Sequence, residues 1–418
     1  MKTFGLYHES GKNQILLYAG KGTQPVMQKT RWKIIPMFLR SILGVKEEKY
    51  PPAILIAGGG TGGHLFPGIA IAESLLEKDK NTRILFVSAG NDFEKAVLSE
   101  KGFSLKAIDV QGIKGRGPVA KLKSLFKIPK AIVRSISIIK DFRPCLVMGM
   151  GSYSSGPVAI AAWILGVGIV LHEQNLRPGI TNRMLSRIAD RIYVSFPGTS
   201  AILDTDKSRM VGNPVRREIL ETARALSGND KHSNHSGKKT MTIVILGGSQ
   251  GAHSINEAVM KALPYLSRKR EYRFIHQTGK ADEAIVRETY QRFGISGTVQ
   301  AFFHDMASLY SEADLLICRA GATTVAEVTS IGKGVIFIPY PFAADNHQVL
   351  NAKALVDEGA AEIILEAALS GEKLAETIDT LAGDPERIHV MEKKSRMFGR
   401  PDAAEEITKD VYTLIQGA

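Results

Sequence analysis

Cysteine, tryptophan and aromatic residues in general are scarce in this chain of 418 residues: two Cys, two Trp, and 7% Phe, Trp and Tyr together. Cys145 and Cys318 share no CxxC and no Cys/His spacing suited to zinc, which excludes a disulfide-stapled small domain and a cysteine-held metal. Each lies in an apolar run, and both are expected to be small buried residues in a reducing compartment. Long apolar runs are missing too. The longest without charge, Val158 to Leu171, is 14 residues against the roughly 20 that a spanning helix needs. With no secretory signal evident at the start, the chain is expected not to cross a membrane. A Walker GxxxxGK[ST] loop is absent, and no DxD-type acidic pair sits at a strand end, which weighs against a kinase, an ATPase or a metal-held nucleotide.

Acidic residues are missing from one stretch altogether. Residues 110–140 hold eight Lys/Arg and no acid, and residues 1–52 hold nine Lys/Arg against three Glu. Those two patches carry +8 and +6 of a formal net charge of +12, leaving the remainder near −2. The first patch, GIKGRGPVAKLKSLFKIPKAIVRSISIIK, interleaves cations with Ile, Leu and Val and has Phe126 as its only aromatic. That suits anionic lipid headgroups better than a nucleic-acid groove, which would want stacking rings. A solvated helix face is the plain alternative.

What is present is a repeated rhythm. Residues 1–52 lack it and end in a polar, proline-stopped KEEKYPP, so they are read as an extension, disordered or membrane-proximal, with RWKIIPMFLRSILGV as an amphipathic candidate. From residue 53 apolar strands and helices alternate: strand 54–57, helix 66–78, strand 83–88, helix 92–101, strand 104–109, a basic helix at 118–140, strand 145–148, helix 155–165, strand 168–172, helix 178–188 and strand 191–195. A polar stretch, SGNDKHSNHSGKK, interrupts near 228–239. The series restarts at 241 with TIVILGGSQGAHSINEAV and runs to about 390. This alternation means α/β, with two Rossmann-like, doubly wound parallel sheets facing across a cleft. The predicted division is an extension (1–52), a first domain (53–215), a linker with insertion (216–240), a second domain (241–395) and a C-terminal helix (396–418).

The motifs fall where such sheets bind ligands. ILIAGGGTGGHLFPGIAIA runs from a strand through Gly58, Gly59, Gly60, Gly62 and Gly63 into a helix, whose N-terminal N–H groups attract an anion. Further glycine loops follow strands at 149–157 and 247–251. Several helix ends of this kind can hold a diphosphate without a metal. LHEQNLRPGITNR, at Leu171–Arg183, packs hydrogen-bonding side chains into one turn. The plain alternative is that His172 and Glu173 satisfy each other. In VGNPVRRE, Arg216 can face a phosphate or make a surface ion pair. LLICRAGATTVAE places Glu327 early in a helix, where a carboxylate can accept from both hydroxyls of a ribose or simply favour the helix dipole. IPYPFAADNHQVLNA sets Asp345, Asn346, His347 and Gln348 at a helix start, suited to sugar hydroxyls or to capping.

Taken together, GGGTGGHLFPGIAIA, GSYSSGP, HEQNLRPGITNR, GNPVR, GGSQGA, CRAGATTVAE and ADNHQVLNA, in that order over residues 54 to about 415, resemble the MurG-type glycosyltransferases. The resemblance implies the two-domain GT-B fold, with the C-terminal helix crossing back to the first domain. It also implies inverting transfer of N-acetylglucosamine from UDP-GlcNAc to the C4 hydroxyl of MurNAc in undecaprenyl-pyrophosphoryl-MurNAc-pentapeptide, for peptidoglycan synthesis. Thr61, Gly62, Gly63, Asn175, Arg216 and Ser249 would belong to the donor site, Ala322, Thr323, Thr324, Val325, Ala326 and Glu327 would hold the nucleoside, and Gln348 would read the sugar. Gly151, Ser152, Tyr153 and Ser154 would take the acceptor diphosphate. The chain departs from the family pattern at Phe303, where an aliphatic residue usually meets uracil through its backbone, and at Ser152, where glycine usually precedes the tyrosine.

The resemblance further implies a peripheral enzyme on the cytoplasmic face of the inner membrane. Its partners would be UDP-GlcNAc, the lipid-linked acceptor, an anionic membrane surface and wall-synthesis and division proteins, with no nucleic acid. No cofactor or structural metal is expected, and stimulation by a divalent ion stays open. His64 is the first candidate for base or phosphate donor, since imidazole titrates near neutrality, and Glu173 is the second. Competing readings are a UDP-GlcNAc 2-epimerase, a catalytically silent UDP-sugar binder at the membrane, and a nicotinamide oxidoreductase on Gly58, Gly60 and Gly63. The last lacks an acid ending its second strand, which closes on Gly90 and Asn91.

Overall fold

The computed structural model describes residues 4–8, 15–19, 51–110, 118–203, 206–227, 240–248 and 250–416. Residues 1–49 and 50–418 are separate compact units. In the first, β1 (Phe4–His8) pairs antiparallel with β2 (Ile15–Ala19), Leu6 opposite Leu17. This corrects the expectation of an extension without regular structure: FGLYH and ILLYA are rich in residues that favour strands. The amphipathic candidate at 31–45 lies outside the described residues.

The second unit holds two parallel sheets. The first, of seven strands, comprises β3 (Ala53–Ala57), β4 (Arg83–Ser88), β5 (Ser104–Ala107), β6 (Leu146–Gly149), β7 (Gly168–Glu173), β8 (Arg191–Val194) and β9 (Ser208–Met210), in the order β5-β4-β3-β6-β7-β8-β9. The second, of six, comprises β10 (Met241–Leu246), β11 (Tyr272–Gln277), β12 (Ser296–Gln300), β13 (Leu315–Cys318), β14 (Val335–Phe337) and β15 (Glu362–Ile363), in the order β12-β11-β10-β13-β14-β15. Strands covered by helices on both faces are apolar throughout, and all of β3 is buried. In each sheet the winding reverses beside the first strand, between β3 and β6 and between β10 and β13, which opens a crevice at the carboxyl ends. Three glycine loops leave β3, β6 and β10 at those crevices, and the CRAGATT turn leaves β13.

Several boundaries differ from expectation. The first long helix begins at Gly62, not 66, so Gly62, Gly63 and His64 occupy its first turn. Residues 217–227, assigned to a linker by sequence, form a helix (Arg217–Ser227) whose Ile219 and Ala223 pack into the second half's core with Val328 and Phe337. The amphipathic spacing of those apolar residues gives the segment a face to bury. The polar stretch 228–239 lies outside the described residues. The C-terminal segment is two helices, Pro385–Phe398 and Ala403–Gln416, parted at Gly399 and Pro401. The second returns to the first half, where Ile407, Val411 and Tyr412 enter its core beside Leu65 and Phe86. Cys318 is buried as expected, whereas Cys145 is exposed. It sits just ahead of β6, the central strand of its sheet, its thiol donating to the Ala53 carbonyl at 3.2 Å.

Candidate active site

The first glycine loop is held by side chains rather than by its own bonds. Gly60 N donates to Glu94 Oε1 at 2.5 Å and Gly59 N to Ser152 Oγ at 3.3 Å. Glu94 is fully buried and its other oxygen accepts from Asn91 N, completing a capping box on the helix Asp92–Glu100. A side chain at Gly59 would collide with that carboxylate, which explains why glycine stands there. Thr61 is the N-cap of the helix Gly62–Lys78 and its side chain makes no capping bond. The helix end therefore opens toward the cleft with its amides and positive dipole.

His64 stands in that first turn. Gln174 donates its Nε2 to the Met150 carbonyl at 3.0 Å, which turns Gln174 Oε1 toward His64 Nδ1 at 3.2 Å. Nδ1 therefore carries the proton and Nε2 is left with the lone pair. Burial pulls the His64 pKa below its ordinary value, against the opposing pull of Glu173. The imidazole is neutral at neutral pH, in the tautomer a base requires.

Glu173 has a different task from the one its sequence context suggests. It is 2% exposed, and its carboxylate accepts from Asn175 N, Asn175 Nδ2, Gly179 N and Asn182 Nδ2 at 2.8 to 3.3 Å. These donors all belong to its own turn, so Glu173 shapes the turn and acts on His64 through its charge. His172 does not pair with it: His172 bonds the Gly212 carbonyl at 3.2 Å, and burial drops its pKa to about 4. Asn175 is fixed from both halves. Its Nδ2 goes to Glu173, and its Oδ1 accepts from Asn351 Nδ2 at 3.2 Å, while Asn351 Oδ1 accepts from Leu176 N.

In the second half the helix Ala322–Ile331 presents two faces. Ala322 and Val325 are buried and line a cavity behind the helix; Thr324 and Ala326 are half-buried, and Ala326 packs against the core that holds Val325. Thr323 crosses the cleft, donating Oγ1 to the Gly63 carbonyl at 3.2 Å. Glu327 is 3% exposed and already engaged. Arg216 binds its Oε1 through Nε at 2.9 Å and Nη2 at 2.8 Å, and the Tyr310 hydroxyl donates to Oε2 at 2.9 Å. The Arg216 guanidinium also lies 4.7 Å from the Phe66 ring on the glycine-loop helix. Burial and the Glu327 charge hold the Tyr310 hydroxyl well above its ordinary pKa.

Gln277 joins two expected contact points, accepting from Phe303 N at 3.1 Å and donating to the Gly248 carbonyl at 2.9 Å. Gln348 Oε1 accepts from Tyr340 N at 2.9 Å, which fixes the amide and leaves its NH₂ for a ligand. Ser249 lies outside the described residues. Of the acceptor-loop residues, Gly151 is half-buried at φ +84° and Tyr153 is 43% exposed, but Ser152 and Ser154 point inward and bond each other at 2.7 Å. Ser152 thus props Gly59, a service the family's usual glycine could not give. A cavity of about 450 Å³ lies behind the helix Ala322–Ile331, lined by Leu176, Phe196, Val325 and Leu355; it contains none of the glycine loops. No group of three or more metal-ligating side chains occurs among the described residues.

Gln174, Asn351, Tyr310, Gln277 and Glu94 were not singled out from sequence. Gln174 and Asn351 sit inside motifs that were, HEQN and ADNHQVLNA. Tyr310 has no local signal, its partner being 17 positions away; Asn91 and Glu94 carry the spacing of a capping box, which marks a helix start but not the bond to Gly60, 34 positions away.

Two crevices meet here, each at the switch point of its sheet, joined by Thr323 to Gly63 and by Asn351 to Asn175. Residues 54–194 match the glycosyltransferase family 28 N-terminal domain, and residues 242–407 match the glycosyltransferase family 28 C-terminal domain. The chain belongs to glycosyltransferase family 28. A Myxococcus xanthus protein named UDP-N-acetylglucosamine--N-acetylmuramyl-(pentapeptide) pyrophosphoryl-undecaprenol N-acetylglucosamine transferase is 42% identical over 355 residues, 85% of this chain and 91% of that protein. Among solved structures, MurG of Acinetobacter baumannii superposes with a TM-score of 0.70 at 31% identity, covering 88% of this chain and all of the other. A UDP-GlcNAc 2-epimerase from Neisseria meningitidis, solved with UDP-GlcNAc, gives a TM-score of 0.62 at 14% identity over 86% of this chain and 99% of that one. That degree of likeness shows a shared fold alone. This family 28 transferase is thus a two-domain α/β enzyme of the GT-B type.

Proposed function

We propose that this enzyme transfers N-acetylglucosamine from UDP-GlcNAc to the muramoyl C4 hydroxyl of undecaprenyl-pyrophosphoryl-MurNAc-pentapeptide, with inversion at the sugar C1. The observation that carries the reading is the opposed pair of crevices, one bearing a neutral, correctly tautomeric His64 on a phosphate-type helix end and the other Glu327 and Gln348. The acceptor O4–C1 bond forms as the bond from C1 to the UDP oxygen breaks. The C4 hydroxyl proton passes to His64 Nε2, and UDP leaves with the electron pair. Negative charge growing on the diphosphate meets the amides of the Gly62 helix end and Arg216, groups arranged before reaction begins. Asn175 and Gln348 orient the sugar, each with its amide already fixed.

An anionic membrane surface suits the first half. Val133, Trp163, Ile164, Ile180 and Met184 are 49 to 72% exposed on neighbouring helices that also carry Lys130, Arg134 and Arg183. Apolar side chains entering a headgroup layer beside cations bind anionic lipid by both terms. No helix among the described residues is long and apolar enough to cross a membrane.

The test is incubation with labelled UDP-GlcNAc and a lipid-linked MurNAc-pentapeptide acceptor in detergent. Acceptor-dependent labelled lipid with UDP release is expected. Tight binding of UDP-GlcNAc with neither transfer nor release would defeat the transferase reading in favour of a silent binder, and acceptor-independent conversion of the free nucleotide sugar would favour an epimerase.

A further inference from the structure

The arginine and the carboxylate that a nucleoside diphosphate would need are bound to each other in this structure. Glu327 Oε1 takes both Nε and Nη2 of Arg216, at 2.9 and 2.8 Å. A ribose presents two adjacent hydroxyls, and gripping both requires free acceptor positions on the carboxylate. Arg216 occupies those on Oε1. The Tyr310 hydroxyl uses one lone pair of Oε2 at 2.9 Å and, buried with it, fixes the carboxylate in place.

Arg216 is the movable member of this trio. Its side chain is 14% exposed against 4% for Glu327. Its guanidinium lies over the Phe66 ring, 4.7 Å from the centroid, and Phe66 belongs to the helix whose N-terminus closes the first glycine loop. An aromatic shelf lets a guanidinium slide without losing its contact. A diphosphate arriving at that helix end is a stronger, doubly charged partner for Arg216, and it offers the guanidinium two oxygens where Glu327 offers only Oε1.

We infer that donor binding is an exchange: Arg216 leaves Glu327 for the diphosphate, and Glu327, still anchored by Tyr310, turns the vacated oxygen to the ribose hydroxyls. Recognition of the sugar is then conditional on the presence of the phosphates. Nucleosides and nucleotides lacking a diphosphate meet a carboxylate already engaged and gain little from their hydroxyls. The coupling is reciprocal, as any linkage between two binding contacts must be. The inference rests on the donor-site reading above, and makes Arg216 and Tyr310 specificity-determining for ribose.

The experiment compares affinities of the full-length protein for four ligands: UDP, 2′-deoxy-UDP, uridine and 2′-deoxyuridine, by calorimetry or competition NMR. Removing the hydroxyl should weaken UDP by about tenfold or more, the size of a hydrogen bond to a charged group, but weaken uridine by less than about twofold. Inorganic pyrophosphate added with uridine should raise the uridine discrimination, because it draws Arg216 away. In Arg216→Ala, uridine should discriminate like UDP while UDP itself binds more weakly. In Tyr310→Phe, the UDP discrimination should shrink. Equal hydroxyl effects for UDP and uridine in the unaltered protein would overturn the exchange, with no variant needed. Failure of UDP to bind at all would instead remove the donor-site reading on which it stands.

Discussion

At the scale of single residues, His64 and Glu173 separate two ways in which a titratable group can matter. His64 has its Nδ1 held by Gln174 Oε1 and a pKa drawn below 6.5 by burial. His64→Ala is expected to lower kcat by about a hundredfold or more, in the range of lost general-base catalysis. In the unaltered enzyme, the acid limb of the kcat profile should fall through a pKa below 6.5; a value within twofold of wild type for the alanine variant would remove His64 from the role. Glu173 meets only donors, so Glu173→Gln would turn an NH₂ toward one of them. The cost should be about 2 kcal/mol in a urea titration, and kcat should suffer only through misplacement of Asn175. A base facing its substrate would show the reverse, an unchanged urea midpoint and a collapsed kcat. Residue identities such as His64, Glu327 and Gln348 were legible because each sits in a motif after a strand. The pairing of Arg216 with Glu327 was not, since 111 positions separate them and neither one's spacing encodes the other.

At the scale of elements, glycine loops differ in what they enclose. Gly251 and Gly102 have nearly the same left-handed conformation, φ +77° and +74°. A Cβ on Gly251 would lie 2.2 Å from the Thr278 carbonyl oxygen, whereas one on Gly102 meets nothing within 4 Å. Gly102→Ala should therefore cost about 1 kcal/mol, the strain of the conformation alone. Gly251→Ala should cost several times more, because two backbones cross there, and it should weaken UDP binding by moving the third glycine loop. Urea midpoints for both variants, with UDP titrations, check the contrast. Strand positions were legible almost to the residue, 83–88 for Arg83–Ser88 and 168–172 for Gly168–Glu173, because buried parallel strands are unbroken apolar runs. The start of the helix at Gly62 was less so. Glycines and a histidine are poor local helix signals, and the turn is held by Glu94 and Ser152 from elsewhere.

For the whole molecule, two histidines with no exposed surface set a limit on acid tolerance. Burial holds His172 at about 4 and His276 at about 3, against 6.5 unfolded. His276 is neutral between the Tyr290 hydroxyl and Asn256. Below pH 6.5 the unfolded chain takes up protons that the folded chain refuses, so the stability present above that pH is lost as the medium becomes more acidic. Two such groups give a slope of about 2.7 kcal/mol per pH unit between roughly pH 6 and 4.5. Urea titrations across that window should show it, with His276→Gln removing about half; a flat profile would mean that these side chains are solvated. Nothing in the sequence marks either histidine as buried, since each stands at the end of an apolar strand, beside polar residues.

The helix Ala403–Gln416 makes the last residues of the chain part of its first domain. Ile407, Val411 and Tyr412 fill the core around β3 and β4, Tyr412 shares a hydrogen bond with Thr82 at 2.7 Å, and Asp410 binds Tyr193 and pairs with Arg191 and Arg209. On the ribosome the first sheet emerges early and must wait, with a groove in its core and Arg191 and Arg209 uncompensated, until that helix has been made. Vectorial folding of independent domains, the usual order for a chain of two, is thereby denied to this protein. Its amino-terminal half reaches its final packing only after the helix Ala403–Gln416 has left the exit tunnel.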